Sequence, residues 1–458
     1  MELSYDVVIV GAGVAGSYAA YLLASKGLRV ALIEAKPEDR IGYKVCGDAI
    51  GKHHVDAMGI ELSMGREIVH TYRGAKVVSP SERFVVDVPG EGYALDRKAF
   101  GRKLVDLAVS KGADLYPSTR FSKPLIEGSW IRGVEATKND GSRTRFLAKV
   151  VIDASGIVGV VRTSLPREWW VSEPIPREDI NATYREIWVA DVDMDPNDLH
   201  YVWIYLDPEH APGGYWWFFP KARNVFNVGL GVQLKPGAPN PRHNFEQFIR
   251  KRFEKRIVEI VDRGGGLVPT RRPIPCMVWN GLVVVGDAAA TANPVHGGGI
   301  GPALLSAKLA SETIIEALEK GAASMENLWI YHRRYHQLYG AKQASLDILR
   351  MFLQKLGVED LETLFSTGIA NTASIYRLGV EGTIEASTIA KIKTVLTTMV
   401  RSPRALTILA KVKRYMDKLR EHYLAYPEKP EGYPAWREEE RRIVDEYRRW
   451  LENEFRGL

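Results

Sequence analysis

Residues 6–34, DVVIVGAGVAGSYAAYLLASKGLRVALIE, constrain the fold more than any other stretch of the chain. An apolar β-branched run, a glycine turn, an Ala- and Leu-rich helical pattern and a second apolar run follow one another within the length of one β-α-β unit. Gly11 permits the tight turn, Gly13 lets the backbone approach a pyrophosphate, and Gly16 lets the helix lie close on the sheet. Ala15 belongs to the same first helical turn, whose N–H groups and partial positive charge face the phosphates. Glu34 ends the second run, where a carboxylate accepts hydrogen bonds from ribose hydroxyls and repels a 2′-phosphate. Strand, turn, helix, strand and terminal acid, in this order, predict dinucleotide binding.

Residues 281–304, GLVVVGDAAATANPVHGGGIGPAL, form a second apolar run that ends in Gly-Asp and passes through glycines into a helix. No G-x-G-x-x-G follows it, so it is not a second nucleotide unit. Asp287 is placed to meet the ribityl chain of a dinucleotide held by the first unit, and Gly298, Gly299 and Ile300 offer backbone that approaches a flat ring closely. Together the two segments resemble the FAD superfamily of the aromatic hydroxylases and geranylgeranyl reductases, over roughly residues 1–320. The resemblance implies FAD as cofactor, and it implies that Arg97, in Tyr93-Ala-Leu-Asp-Arg97, contacts it. Hydroxylases usually carry an Asp-Gly motif in mid-chain. The stretch here is Val151-Ile-Asp153-Ala-Ser155-Gly156, ending in Arg162, and Ser155 in place of the second Asp counts against a hydroxylase.

Between the two segments lies Pro212-Gly-Gly-Tyr-Trp-Trp-Phe-Phe-Pro220, followed by Lys221 and Asn227-Val-Gly229. On a strand, alternation sends Tyr215, Trp217 and Phe219 to one face and Trp216 and Phe218 to the other. Pairing with Tyr201–Tyr205 as a meander is expected to set Trp203 or Tyr205 beside the first group, as the wall of an apolar tunnel. The run matches the P-x-x-Y-x-W-x-F-P pattern of the geranylgeranyl reductases, and Lys44-Val-Cys46-Gly47-Asp48 matches their Lys-x-Cys-Gly element. That resemblance implies saturation of isolated C=C bonds in geranylgeranyl chains of an archaeal-type ether lipid or prenyl precursor. It implies that Cys46 and Gly47 lie by the isoalloxazine, with Tyr205, Tyr215, Trp217 and Phe219 on the substrate. Cys46 and His296 are the candidate catalytic residues. No nicotinamide motif is visible to single out the electron donor, so ferredoxin, a deazaflavin and NADPH are all candidates. A flavin monooxygenase of an apolar or aromatic substrate, and a non-redox FAD-fold isoprenoid cyclase or escort, are the alternatives.

Two cysteines in 458 residues are too few for a disulfide framework and point to a reducing compartment. A bridge between Cys46 and Cys276 stays open. The formal net charge of +6 draws the protein weakly to anionic surfaces, yet no nucleic-acid module is visible, and neither Cys nor His has metal-ligand spacing. Met1–Tyr5 run straight into the first strand, and no apolar run reaches the roughly 20 residues that span a bilayer. A cytoplasmic protein with at most a peripheral membrane contact is expected. The predicted architecture is α/β. Residues 1–165 and 270–325 form a Rossmann-like FAD domain, with 65–100 partly in the substrate sheet. Residues 166–269 form an interleaved antiparallel substrate sheet, and 326–458 are helical. In that last region Leu406, Leu409, Val412, Tyr415, Met416 and Leu419 share one helical face. The interleaved Lys411, Lys413, Arg414, Lys418 and Arg420 suit a solvated face or a phospholipid surface.

Overall fold

The computed structural model describes residues 1–380 and 403–455. The strand Glu2–Val10 lies in the middle of a mainly parallel sheet, and Val7, Val8 and Ile9 are completely buried because that sheet is covered on both faces. It pairs in parallel with Val30–Ile33 (Val7 opposite Val30) and with Arg143–Asp153 (Val7 opposite Val150). The strand Arg143–Asp153 then divides its partners. Its first half joins Trp130–Lys138 antiparallel, and its last residues run parallel to Leu282–Val284. This puts the carboxyl ends of Glu2–Val10 and Leu282–Val284 at one sheet end, where ligands bind in open α/β sheets. The crossover helix Val14–Ala24 packs against Arg97–Ser110 and Ile300–Glu319.

A second eight-stranded sheet runs in the order Ile257–Pro269, Ile180–Ala190, Val225–Gln233, Trp216–Ala222, Tyr201–Tyr205, Ile68–Val78, Val85–Leu95, Ala49–Gly51. All neighbours are antiparallel except Tyr201–Tyr205 with Ile68–Val78. One face carries Trp188, Trp216, Phe218, Phe226 and Leu230 into a core closed by Phe245, Ile249 and Phe253. The opposite face carries Trp217, Phe219 and Asn227.

The C-terminal region packs Ala341–Leu353 against Pro403–Leu424 and Tyr433–Glu454. Val412, Met416 and Leu419 are buried, while the Leu406 side chain lies outside the described residues. Of the interleaved cations, Lys411 lies over the Trp450 ring, Lys413 pairs with Asp417 one turn along its own helix and Lys418 pairs with Glu446. A buried ionic knot ties this bundle to the end of the second sheet. Arg272 bridges Asp347, at 2.8 Å, and Glu440, while Arg350 and Arg271 meet Asp179 at 2.9 and 3.3 Å. Among the described residues no helix is long and apolar enough to cross a membrane.

Candidate active site

At the nucleotide end, Gly11 has φ +106° and lies so close to Ala154 that a Cβ would sit 2.6 Å from its carbonyl oxygen. Gly16 has no room either, because a Cβ there would strike the Gly11 carbonyl. Gly13 differs. Nothing lies within 4 Å of where its Cβ would be, and it begins the Val14–Ala24 helix without a side-chain cap. Glu34 accepts from the amides of Ala12 and Lys36, each at 2.8 Å, and so holds the glycine turn from the neighbouring strand end. Ala15 meets Gly286, 3.1 Å from its would-be Cβ, so the two glycine segments pack directly on each other.

Arg97 opens the helix capped by Asp96, whose carboxylate accepts from Ala99 N at 2.9 Å. Only 8% of Arg97 is exposed, and its Nε and one Nη lack any hydrogen-bond partner. A buried guanidinium without an acceptor is costly. The ammonium groups of Lys36 and Lys44 lie near enough to repel it. This cationic hollow, beside an open helix start and the Glu34 carboxylate, fits the pyrophosphate and ribose of a dinucleotide.

At the other segment, Asp287 accepts a 2.8 Å salt bridge from Lys44, which raises the lysine above its usual pKa range. Asn293 Oδ1 accepts from the amides of Val295 and His296 and shapes the turn that leads into Ile300–Glu319. Gly299 starts that helix with no side-chain cap, and the Asp287 carboxylate lies against it. The His296 Nδ1 accepts from Gly298 N at 3.1 Å, which leaves the proton on Nε2. Solvent reaches this ring, yet protein encloses its other sides. That desolvation, with the charge of Lys342, pulls its pKa down to about 4.

Residues 43–48 cross the second sheet as a strap. Tyr43 donates to Asp262 at 2.6 Å, Val45 lies over Gly264 and Gly266, and the Cys46 carbonyl accepts from Asn227 Nδ2 at 2.8 Å. Gly47 fits against Phe219, 3.0 Å from a would-be Cβ. Asp48 takes the left-handed φ of +62° and accepts from Lys221 at 2.7 Å and Asn227 at 3.0 Å. Trp217 donates to the Asn227 Oδ1 at 3.0 Å and lies over Gly229, where a Cβ would collide with it. The Tyr215 hydroxyl donates to the His296 carbonyl at 2.7 Å. Strap, aromatic strand and glycine turn therefore converge on one cleft.

Two expectations change. Tyr205 is directly opposite Trp216, and Trp203 opposite Phe218, and opposed residues of paired strands share a face. Tyr205 stacks on Trp216 at 3.6 Å, in the core away from the cleft, so neither it nor Trp203 joins Tyr215. The tunnel wall is also smaller than expected. Trp217 and Phe219 are each 7% exposed beneath the strap, and of the three rings Tyr215 alone keeps substantial access. Both cysteines are free: Cys46 is half-buried, whereas Cys276 is buried and donates to the Val278 carbonyl. Asp153 spends its carboxylate on Ser155 and the Arg162 amide within its own turn. Two surface cavities, of about 350 and 470 Å³, open elsewhere, by Tyr5 and Arg29 and by Tyr184 and Arg242. Among the described residues no group of His, Cys, Asp and Glu is arranged to hold a metal.

Lys44, Asp48, Asn227 and Lys221 tie these elements together, and sequence reading gave them no site role. Their proximity to the two motifs was the available signal.

Comparison with known proteins agrees with this geometry. Residues 6–164 match a family model described as FAD dependent oxidoreductase, and residues 179–268 match one described as geranylgeranyl reductase catalytic domain. The chain is 37% identical to the digeranylgeranylglycerophospholipid reductase of Sulfolobus acidocaldarius over 452 residues, covering 98% of this chain and 99% of that one. It is 34% identical to the digeranylgeranylglycerophospholipid reductase of Methanosarcina acetivorans, over 80% of this chain and 88% of the relative. A geranylgeranyl bacteriochlorophyll reductase-like protein from Thermoplasma acidophilum superposes with a TM-score of 0.75 at 26% identity, over 90% of this chain and all of that one.

Proposed function

The chain belongs to the geranylgeranyl reductase family of FAD-dependent oxidoreductases, and from that premise we propose that it saturates isolated C=C bonds in the geranylgeranyl chains of an archaeal-type ether glycerophospholipid. The observation that carries the reading is the junction of Cys46, Tyr215 and His296 at a single cleft, next to a second glycine segment packed on the nucleotide turn. Gly11, Gly13, Ala15, Gly16 and Glu34 would hold the adenosine and pyrophosphate end of FAD. Arg97 would supply positive charge, and Asp287 with Gly298, Gly299 and Ile300 would meet the ribityl chain and ring.

An isolated trisubstituted alkene is not an electrophile, so saturation requires a proton at one carbon as a hydride reaches the other. Bound FAD, once reduced, supplies the hydride. The chain supplies the proton, a surface that tolerates positive charge at the tertiary carbon, and shelter from water. Cys46 is the proton donor in this reading: its thiol is half-buried on a strap fixed at its own carbonyl and at both neighbouring anchors. The thiolate left behind is reprotonated from solvent. His296 is neutral near pH 7 and uses Nδ1 for Gly298, so it orients groups through Nε2–H and does not serve as the acid. The Tyr215 ring, held through its hydroxyl, presents a π face to the developing charge.

Anaerobic mixing of dithionite-reduced protein with an unsaturated prenyl glycerophospholipid tests the reading. Flavin reoxidation together with a lipid heavier by two hydrogens per bond is expected. A flavin that waits for oxygen indicates a monooxygenase, and one that never reoxidises indicates a cyclase or escort. Ferredoxin, reduced deazaflavin and NADPH are then compared by which bleaches the flavin without oxygen.

A further inference from the structure

The edge strand Ile257–Pro269 carries a β-bulge where the strap crosses it. Asp262 pairs with Ile187 and Ile260 with Trp188, so Val261 has no partner and stands 57% exposed. A one-residue shift of this kind moves the rest of the strand to the opposite faces. Ile260 therefore joins the Trp188 core, whereas Asp262 falls in the cross-strand row of Ile187, Asn227 and Phe219, on the cleft side. Without the bulge, Asp262 would lie on the core face.

The segment that follows the bulge is shaped to the strap. Asp262 accepts from the Tyr43 hydroxyl at 2.6 Å and from Arg185 Nη1 at 2.6 Å. The Arg185 side chain is 3% exposed, beside Trp217 and opposite Gly264, and its Nε has no hydrogen-bond partner. A buried donor left unused is a cost, and here it keeps a guanidinium charge behind the carboxylate that holds the strap. Gly264 leaves room for Val45: a Cβ there would lie 2.6 Å from Val45 Cγ2, and among the described residues it would meet Val45 alone within 4 Å. Tyr43 and Val45 thus turn to the sheet, while between and after them Lys44 turns to Asp287 and Cys46 packs against the core that holds the first sheet.

We propose that Asp262, Arg185 and Gly264 form a seat that sets which way the strap turns, and that they are positioning residues which hold the Cys46 thiol toward the flavin side of the cleft. Cys46 follows Val45 directly, so a strap lifted or turned at residues 43–45 carries the thiol with it. The effect of the seat on the reaction rests on the reductase reading above; the seat itself rests on the contacts alone.

Iodoacetamide alkylation of FAD-loaded protein reads the thiol directly, because the other cysteine, Cys276, is buried. Tyr43→Phe removes one hydrogen bond to a carboxylate and keeps the ring, and alkylation of Cys46 should quicken by about tenfold. Gly264→Ala should quicken it too, by pushing Val45 off the sheet. Adding Val45→Ala takes away the colliding methyl groups and should bring the rate back toward that of the unsubstituted protein. Rates unchanged in both single variants, or no recovery in the Gly264→Ala and Val45→Ala pair, overturn the seat. A second arm follows single-turnover reoxidation of reduced flavin by an unsaturated prenyl glycerophospholipid, at equal FAD content. Tyr43→Phe should slow the step at saturating lipid and leave the half-saturating concentration unchanged. An equal rate beside faster alkylation overturns the positioning role and leaves the seat a structural device. If the unsubstituted protein is not reoxidised at all, the reductase reading fails, and the alkylation rates still decide the seat.

Discussion

Gly13 and Gly16 belong to one turn and answer different constraints. Gly16 is required by its own fold, since any side chain strikes the preceding turn, whereas Gly13 faces open space. Gly13→Asp should therefore fold normally and lose FAD, because its carboxylate would stand where the pyrophosphate belongs. Flavin absorbance after gel filtration, beside an unchanged far-UV spectrum, checks this; full occupancy would show the site is misassigned. Cys46 gives a second residue-level test. Cys46→Ser keeps the size and the backbone bond to Asn227, so FAD content should hold while single-turnover reoxidation of reduced flavin by the lipid slows by 10²-fold or more, on the order of a general acid's contribution. Equal rates would leave Cys46 a structural residue of the strap.

The strap 43–48 and the strand Trp216–Ala222 are single elements whose meaning lies in their contact. Alternation correctly groups Tyr215, Trp217 and Phe219, and the structure adds that the strap covers two of them. Trp217→Ala should cost roughly 3 kcal/mol or more of stability, because it empties a buried aromatic site and leaves the Asn227 amide oxygen without its donor. Chemical denaturation measures that loss. Asn227→Ala should instead loosen the strap at Cys46 with little loss of FAD, and faster alkylation of the Cys46 thiol by iodoacetamide is the readout. An unchanged alkylation rate would mean that Tyr43 and Asp48 hold the strap unaided.

Across the whole molecule, buried histidines and the ionic knot set the response to acid. His332 accepts from Met277 N at Nε2 and donates to the Trp329 carbonyl from Nδ1, which locks the neutral ring, and burial pulls its pKa down to about 3. The unfolded chain binds this proton near pH 6.5 and the folded chain does not. Stability is therefore lost as pH falls below about 6.5, at about 1.4 kcal/mol per unit until the folded value is reached. Asp179, Asp347 and Glu440 are held below the usual carboxylate range. Burial opposes this, but Arg271, Arg272 and Arg350, with Arg437 beside Glu440, outweigh it, so their stabilisation is full above the unfolded value near 4 and fades only below it. The melting temperature should start to fall near pH 6.5 and fall faster below about 4. His332→Gln should lower it at pH 8 and flatten the first slope, and a first slope unchanged in the variant would assign it to other groups. The β-α-β unit, the second glycine segment and the facing of alternate aromatics were legible in the sequence, because each depends on residues within some thirty positions and on a fixed backbone period. Tertiary structure decided the rest. The Cys46–Asn227 bond joins residues 181 positions apart, and no local pattern specifies such a contact. Tyr205 went to the core because strand register sets which residues oppose one another, and register follows from the packing of the whole sheet. His54 lies over Gly301 only because the short helix Lys52–Met58 lands on the start of a distant one.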